Sequence, residues 1–278
     1  CAIPIIRGKH FSRPTESIIE EITKLTAQGV KEFNLIAQDS TYYGYDLYGK
    51  RRISELIEQI ANVPGVDWLR LLYTYPTNFP LELLNTIANH PNICKYIDIP
   101  LQHISDKILN SMNRGTSRNY IIELISKIKE TEPNIAIRST FIVGYPGETE
   151  KDFEELYEFI ISAKLDRVGV FTYSHEEGTS AFELADNIPD EEKEKRRDII
   201  MLAQNKISLE KNKDKIGKTY KVIVEEEIDK MTYLGRTEYD APDVDNSVTI
   251  LSTKKLQLGN FEMVTIIDAQ EYDLIGKI

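Results

Sequence analysis

Ala136-Ile137-Arg138-Ser139-Thr140-Phe141-Ile142-Val143, then Gly144-Tyr145-Pro146-Gly147-Glu148-Thr149, then the helical stretch Glu150–Ala163, is the run on which the fold turns. A short run dominated by Ile, Val and Phe reads as a strand buried on both faces, as in a parallel sheet. The turn after it holds two glycines and a proline, and Thr149 is placed to cap the next helix. Strand, loop and amphipathic helix make half of a βαβ unit. The same rhythm recurs on either side. Glu32–Ala37, Trp68–Tyr73, Tyr96–Ile99 and Arg167–Thr172 read as strands; Pro14–Gln28, Ile53–Ala61, Pro80–Asn89 and Asn119–Thr131 read as helices. In the first helix Pro14 opens, Ile18, Ile22 and Leu25 keep helical spacing, and Gly29 stops it. Five such strands predict an α/β fold, either a parallel sheet or a partial barrel. Rhythm alone leaves a doubly wound sheet open.

The rhythm breaks near Ile188. Asp190–Lys215 is highly charged, with an apolar middle at Ile199, Ile200, Leu202, Ala203 and Ile207, and reads as a helix leaving the barrel. After Gly217 come four short strand-like runs, Lys221–Glu225, Tyr233–Glu238, Ser247–Leu251 and Glu262–Ala269, which predict a small β-barrel. The expected division is 1–216 and 217–278.

Composition removes several classes. The 278 residues are 41% hydrophobic and 28% charged, neither collagen-like nor wholly disordered. No apolar run reaches the ~18 residues of a membrane span, so no membrane partner is expected. The start has no signal-peptide pattern. With 45 acids against 34 bases the net charge is −11, which disfavours non-specific nucleic-acid binding. Two cysteines cannot form a disulfide scaffold, so a reducing cytoplasm is the default location. Cys94 reads as a buried, inert thiol. One cysteine at Cys1 holds neither zinc nor a cluster by itself, and His10, His90, His103 and His175 lack metal spacing. A chain opening on Cys1 without Met suggests a preceding segment.

In a parallel barrel the chemistry sits at the carboxyl ends of the strands. Those positions hold Gln38, Asp39, Ser40, Thr41, Tyr42 and Tyr43; Pro100, Leu101, Gln102 and His103; Gly144–Thr149; and Tyr173, Ser174 and His175, with Arg138 on the fourth strand. Polar loops alone could account for any one of them; all of them together favour a ligand site. Gly144–Gly147 matches neither a P-loop nor G-x-G-x-x-G. It reads as a tight turn into the helix, or as backbone open to a flat ligand.

At this point the motifs become familiar. Cys1-Ala2-Ile3-Pro4, Arg7-Gly8-Lys9 and Ser12-Arg13-Pro14 resemble the segment just after the C-x-x-x-C-x-x-C motif of radical SAM methylthiotransferases, with Cys1 as its third cysteine. Leu35–Gly44 with Asp46–Gly49 is similar to the branch that modifies a ribosomal protein. Tyr96–His103, Met112–Gly115 and Arg138–Thr149 resemble blocks of the whole family, and Tyr239–Asp245 that branch's TRAM β-barrel. The resemblance implies a partial (βα)6 TIM-like barrel lacking its first strand, followed by an all-β TRAM barrel. It implies a transferase with a [4Fe–4S] cluster that binds S-adenosylmethionine (SAM), and a second cluster in a separate N-terminal domain. A second SAM supplies the methyl group. The implied substrate is an aspartate of ribosomal protein S12, methylthiolated at its β-carbon.

Carried onto this chain, the resemblance makes Cys1 a cluster ligand and places Gln38, Asp39, Gln102, Arg138 and Gly144 around SAM. For Asp39 and Arg138 a structural salt bridge is the competing reading. From Lys218 to Ile278 there are seven basic and twelve acidic residues. An acidic domain suits a basic ribosomal protein or the small ribosomal subunit better than RNA. The alternatives are a tRNA methylthiotransferase, a binding module without catalysis, and a metal-independent barrel enzyme using His103 with Asp39 as acid and base. A monomer is the default expectation.

Overall fold

The computed structural model describes residues 3–278; Cys1 lies outside the described residues. Five strands run parallel in chain order: β1 (Glu32–Leu35), β2 (Trp68–Leu71), β3 (Tyr96–Asp98), β4 (Ala136–Val143) and β5 (Arg167–Thr172). The β1-β2 pair and the β3-β4-β5 sheet meet through one bridge, Leu69 to Ile93. β1 pairs only with β2, so among the described residues its outer edge carries no strand. The helices are α1 (Ile3–Arg7), α2 (Thr15–Ala27), α3 (Tyr45–Tyr48), α4 (Ile53–Ala61), α5 (Glu82–Asn89), α6 (Asp106–Ser111), α7 (Arg118–Thr131), α8 (Glu150–Ala163) and α9 (Asp190–Lys213).

β4, β5, α4 and α8 match the sequence reading residue for residue. Thr149 accepts from the Asp152 amide, and the Asp152 side chain accepts from Thr149 N, a complete capping box. β2 stops before Tyr73, whose left-handed backbone (φ 55°) leaves the ladder. α1, α3 and α6 span too few residues for periodicity to reveal them.

The strands are not apolar throughout. Side chains alternate across a sheet. Leu69, Leu71, Ile97, Ile99, Ile137, Phe141 and Val143 join the core under the helices, with Ile57 and Ile60 of α4, Leu83 of α5, Ile128 of α7 and Leu156 of α8. Arg70, Tyr96, Asp98, Arg138 and Arg167 take the opposite, concave face, where Asp98 pairs with Arg138 in register and Arg138 with Arg167. The sequence reading missed this polar seam.

The remainder forms a closed barrel of five strands where four were expected: β6 (Thr219–Asp229), β7 (Thr232–Thr237), β8 (Val248–Leu251), β9 (Phe261–Ala269) and β10 (Leu274–Lys277), in the order β10-β8-β7-β6-β9. β10 gives little local signal because its four residues include Gly276; it pairs with its hairpin neighbour β9 and, in parallel, with the more distant β8. β6 runs on through Glu225, Glu226 and Glu227, bulging twice against β7, where no apolar pattern marks a strand. A side chain at Gly235 would meet the Ile223 carbonyl oxygen at 2.3 Å, so only glycine lets β7 close on β6.

The β7–β8 connection, from Glu238 to Asn246, plugs the N-terminal end of the parallel strands. Four strands send it one polar group each, and β1 reaches the strand beside it. Glu32 of β1 pairs with Arg236 of β7 at 2.6 Å. Arg70 of β2 donates to the Glu238 carbonyl at 2.6 Å. Tyr96 of β3 donates to Asp245 at 2.6 Å. Arg138 of β4 lies 3.3 Å from the other Asp245 oxygen, and Arg167 of β5 2.5 Å from Asp240. Trp68, Leu72, Tyr96 and Ala136 pack here against Ile223 and Ala241.

Candidate functional site

The C-terminal ends of the strands are open. Ile36 after β1, Tyr73 after β2 and Phe171 near the end of β5 are exposed, Phe171 to 62%. Gln38 is exposed and Asp39 half-buried. Asp39 caps the short 3-10 turn Ser40–Tyr42, its Oδ1 accepting from Thr41 N at 2.9 Å. Gln102 follows β3 in a left-handed conformation (φ 72°), stitched to β4 through Thr140 O and Ile142 N. Its Oε1 is buried without a hydrogen-bond partner, as is Oδ1 of Asn34 on β1. Buried acceptors left unpaired are costly, and they cluster where a ligand completes them.

Gly144 ends β4 with φ 72°. Its amide donates to Glu148 Oε2 at 2.9 Å, and Arg196 of α9 reaches Glu148 Oε1 at 2.7 Å. Burial pushes the Glu148 carboxyl up, but His103, Arg196 and the Gly144 amide outweigh it and hold it below the usual range. The close approach that glycine permits here is to α9: a Cβ would stand 2.2 Å from Lys193 Cγ. The turn between Gly144 and Thr149 is thus clamped from behind by α9, with its Gly144, Tyr145, Glu148 and Thr149 amides engaged within the turn and the cap of α8.

Arg138 is the third residue of β4, and its guanidinium takes the structural salt-bridge role offered as the competing reading, held by Asp98 at 3.0 Å and Asp245 at 3.3 Å. His103 is fully buried; its Nδ1 accepts from Ser105 N, and Nε2 faces Glu148 at 3.6 Å. His103 and Asp39 therefore form no acid–base pair. The sequence reading also passed over two groups. Asn34 is hidden inside an apolar run. Arg114 has no carboxylate partner among the described residues: it donates to Pro100 O at 2.6 Å, stacks on Tyr75 at 4.4 Å, and leaves Nε unpaired. Burial lowers its affinity for the proton, with Tyr75 and Asp39 opposing. Its signal was already in the Met112–Gly115 block, an arginine beside a glycine in a polar loop.

The geometry is that of a parallel barrel with its N-terminal end plugged, an unpaired acceptor at Gln102 past the end of β3 and another at Asn34 within β1. A sequence profile of the radical SAM superfamily matches residues 1–160, and one of the TRAM domain matches 216–278. The chain belongs to the radical SAM superfamily. Relatives of this radical SAM chain include the ribosomal protein uS12 methylthiotransferase RimO of Flavobacterium psychrophilum, 50% identical across the whole chain and covered over 64% of its own length. RimO of Clostridioides difficile is 48% identical, with 63% of that protein covered. The chain thus spans somewhat less than two thirds of these relatives. Among solved structures, the radical SAM enzyme coproporphyrinogen III oxidase (HemN) of Escherichia coli superposes with a TM-score of 0.51 at 14% identity, over 70% of this chain and 46% of that one. That likeness concerns the fold.

Proposed function

We propose that this radical SAM chain is the barrel and TRAM part of a methylthiotransferase acting on an aspartate of ribosomal protein uS12. The observation that carries the reading is the kinship with RimO proteins across the entire chain. Asn34 Oδ1 and Gln102 Oε1 are buried acceptors suited to an ammonium group. Arg114, rather than Arg138, is the cation free to take a carboxylate. Gln38 and Asp39 remain candidates for the same ligand, with Asp39 Oδ1 already engaged by Thr41. The backbone at Gly144 offers a clamped edge for the adenine. Cys1 would join two cysteines encoded before it as ligands of the radical cluster, and a strand from that segment would pair on the free edge of β1. A second cluster belongs to a further N-terminal domain.

When bound, cluster and SAM supply the radical that an unactivated C–H bond requires. This chain's residues bind and orient: the amide oxygens and Arg114 fix the amino-acid end of SAM, and exposed Tyr73 and Phe171 offer apolar cover for the substrate and exclude water. The acidic TRAM barrel suits a basic ribosomal protein in the cytoplasm. The test is anaerobic reconstitution of the protein produced with the codons preceding Cys1, incubated with SAM, uS12 and, separately, tRNA. A methylthio group on one uS12 aspartate is expected. Modification of tRNA adenosine alone overturns the substrate assignment.

A further inference from the structure

On the flank of the domain junction lies a cavity of about 200 Å³, between the end of α7, the start of β4, the last turn of α9 and β6. Five cations line it, Lys129, Arg167, Lys211, Lys215 and Lys218, against two carboxylates, Asp166 and Asp214. That bias runs against a chain of net charge −11. Arg167 is matched by Asp240, and Lys211 by Asp166 at 2.6 Å. The other three lack a carboxylate partner among the described residues. Lys129 Nζ donates to the Ala163 carbonyl at 2.5 Å, Lys215 Nζ to Asn212 Oδ1 at 3.1 Å, and Lys218 Nζ to nothing. Tyr220 and Tyr239 meet edge to face at 6.1 Å on the same wall, and neither hydroxyl has a partner among the described residues.

The electrostatics agree. Burial brings the Lys215 amine down to about 8, with repulsion from Arg167 adding to it and Asp240 and Asp166 opposing. Burial and Lys211 lower Lys129 as well, against Asp166. Lys129 and Lys215 are thus partly desolvated with carboxylates nearby but none in contact, and Lys218 is exposed at the rim, so an anion joining them would offset part of the burial cost. Lysines and tyrosines lining one small cavity supply the kinds of donor that a tetrahedral oxyanion needs.

We propose that this pocket binds a phosphoryl group, held by Lys129, Lys215 and Lys218 with the hydroxyls of Tyr220 and Tyr239. A backbone phosphate of RNA and free inorganic phosphate present the same chemistry. The inference is independent of the methylthiotransferase reading, because the pocket borders the plugged end of the strands, away from Gln102 and Gly144.

The 278-residue chain with isotopically labelled lysines would be titrated with inorganic phosphate at constant ionic strength and followed by NMR. Saturable shifts at Lys129 and Lys215 are expected. The Lys129→Gln/Lys215→Gln double variant should bind about tenfold more weakly, the loss of one or two charge-assisted hydrogen bonds. Lys254→Gln, outside the pocket, should bind like the parent. Should the double variant fail to fold, Lys218→Gln on the rim replaces it, with severalfold weaker binding expected. Displacement of phosphate by a short single-stranded RNA assigns the group to a nucleic-acid backbone; saturation by phosphate without such competition assigns it to the free anion. Absence of saturable shifts with both probes, or unchanged binding by the variants, overturns the proposal.

Discussion

The two ends of the parallel sheet are built on opposite principles. At the N-terminal ends, Glu32, Arg70, Tyr96, Arg138 and Arg167 each meet a partner on or beside the Glu238–Asp245 loop. At the C-terminal ends the same strands leave Ile36, Tyr73 and Phe171 exposed and the Gln102 acceptor unpaired, while a second unpaired acceptor, Asn34, lies mid-strand in register with Arg70. One end has matched most of its charges within the chain, leaving Arg70 Nε and Asn246 Nδ2 as its unpaired donors, and the other has fewer internal partners. In parallel barrels the N-terminal face serves stability and the C-terminal face chemistry. Here the distinction can be read in hydrogen bonds.

The contrast can be broken most forcefully at Asp240. Asp240→Ala strands the buried Arg167 charge, and urea unfolding should show a loss of about 3–5 kcal/mol. Asp245→Asn should cost less, about 1–3 kcal/mol. Burial pushes the Asp245 carboxyl up, with the Tyr96 hydroxyl and Ala241 amide opposing, so its ionised form contributes less.

Acid should separate the same two groups. Burial raises the Asp240 carboxyl, but Arg167, Lys215 and the Thr237 hydroxyl outweigh it and hold it below the usual range. Its stabilisation is therefore present above the unfolded value of about 3.9 and lost as pH falls below it toward the folded value. Asp245, being raised, works in the opposite direction. Circular dichroism across the acid range should show a shallower loss for Asp240→Asn than for the parent chain.

At the open end the order of effects reverses. Gln102→Ala should leave stability within about 0.5 kcal/mol, because the lost oxygen had no partner. The same change should weaken S-adenosylhomocysteine binding by calorimetry about tenfold, the worth of one hydrogen bond. The smallest expected effect is at Cys94, buried under the plug with its thiol pushed up by burial to about 12. Iodoacetamide at neutral pH should leave it unmodified until the chain unfolds.

Much of this was legible in the primary structure, for reasons specific to each element. β4, β5 and α8 were read to the residue because periodicity, the Thr149 cap and the glycine turn act within a few residues of chain. Cys94 was read as inert from its apolar context. Arg138 was not readable in the same way. Its partners lie 40 residues back at Asp98 and far forward at Asp245, and an arginine on a strand gives no sign of which carboxylate will reach it. Gly144 reads as a tight turn or as backbone open to a flat ligand; nothing local shows that its side-chain direction is filled by Lys193. Arg114 and Asn34 stood out only once the unpaired atoms could be counted.

Local pattern therefore settles that the chain is a parallel α/β unit followed by a small β-barrel, since hydrophobic period, caps and turn residues each act over a single element. Docking of the second barrel onto the first settles which strand end is closed, which charges are consumed and which remain for a ligand. Those outcomes depend on contacts between residues more than a hundred positions apart, such as Glu32 with Arg236 and Arg70 with Glu238. The worth of such a contact is set by the burial and geometry that only the assembled fold provides.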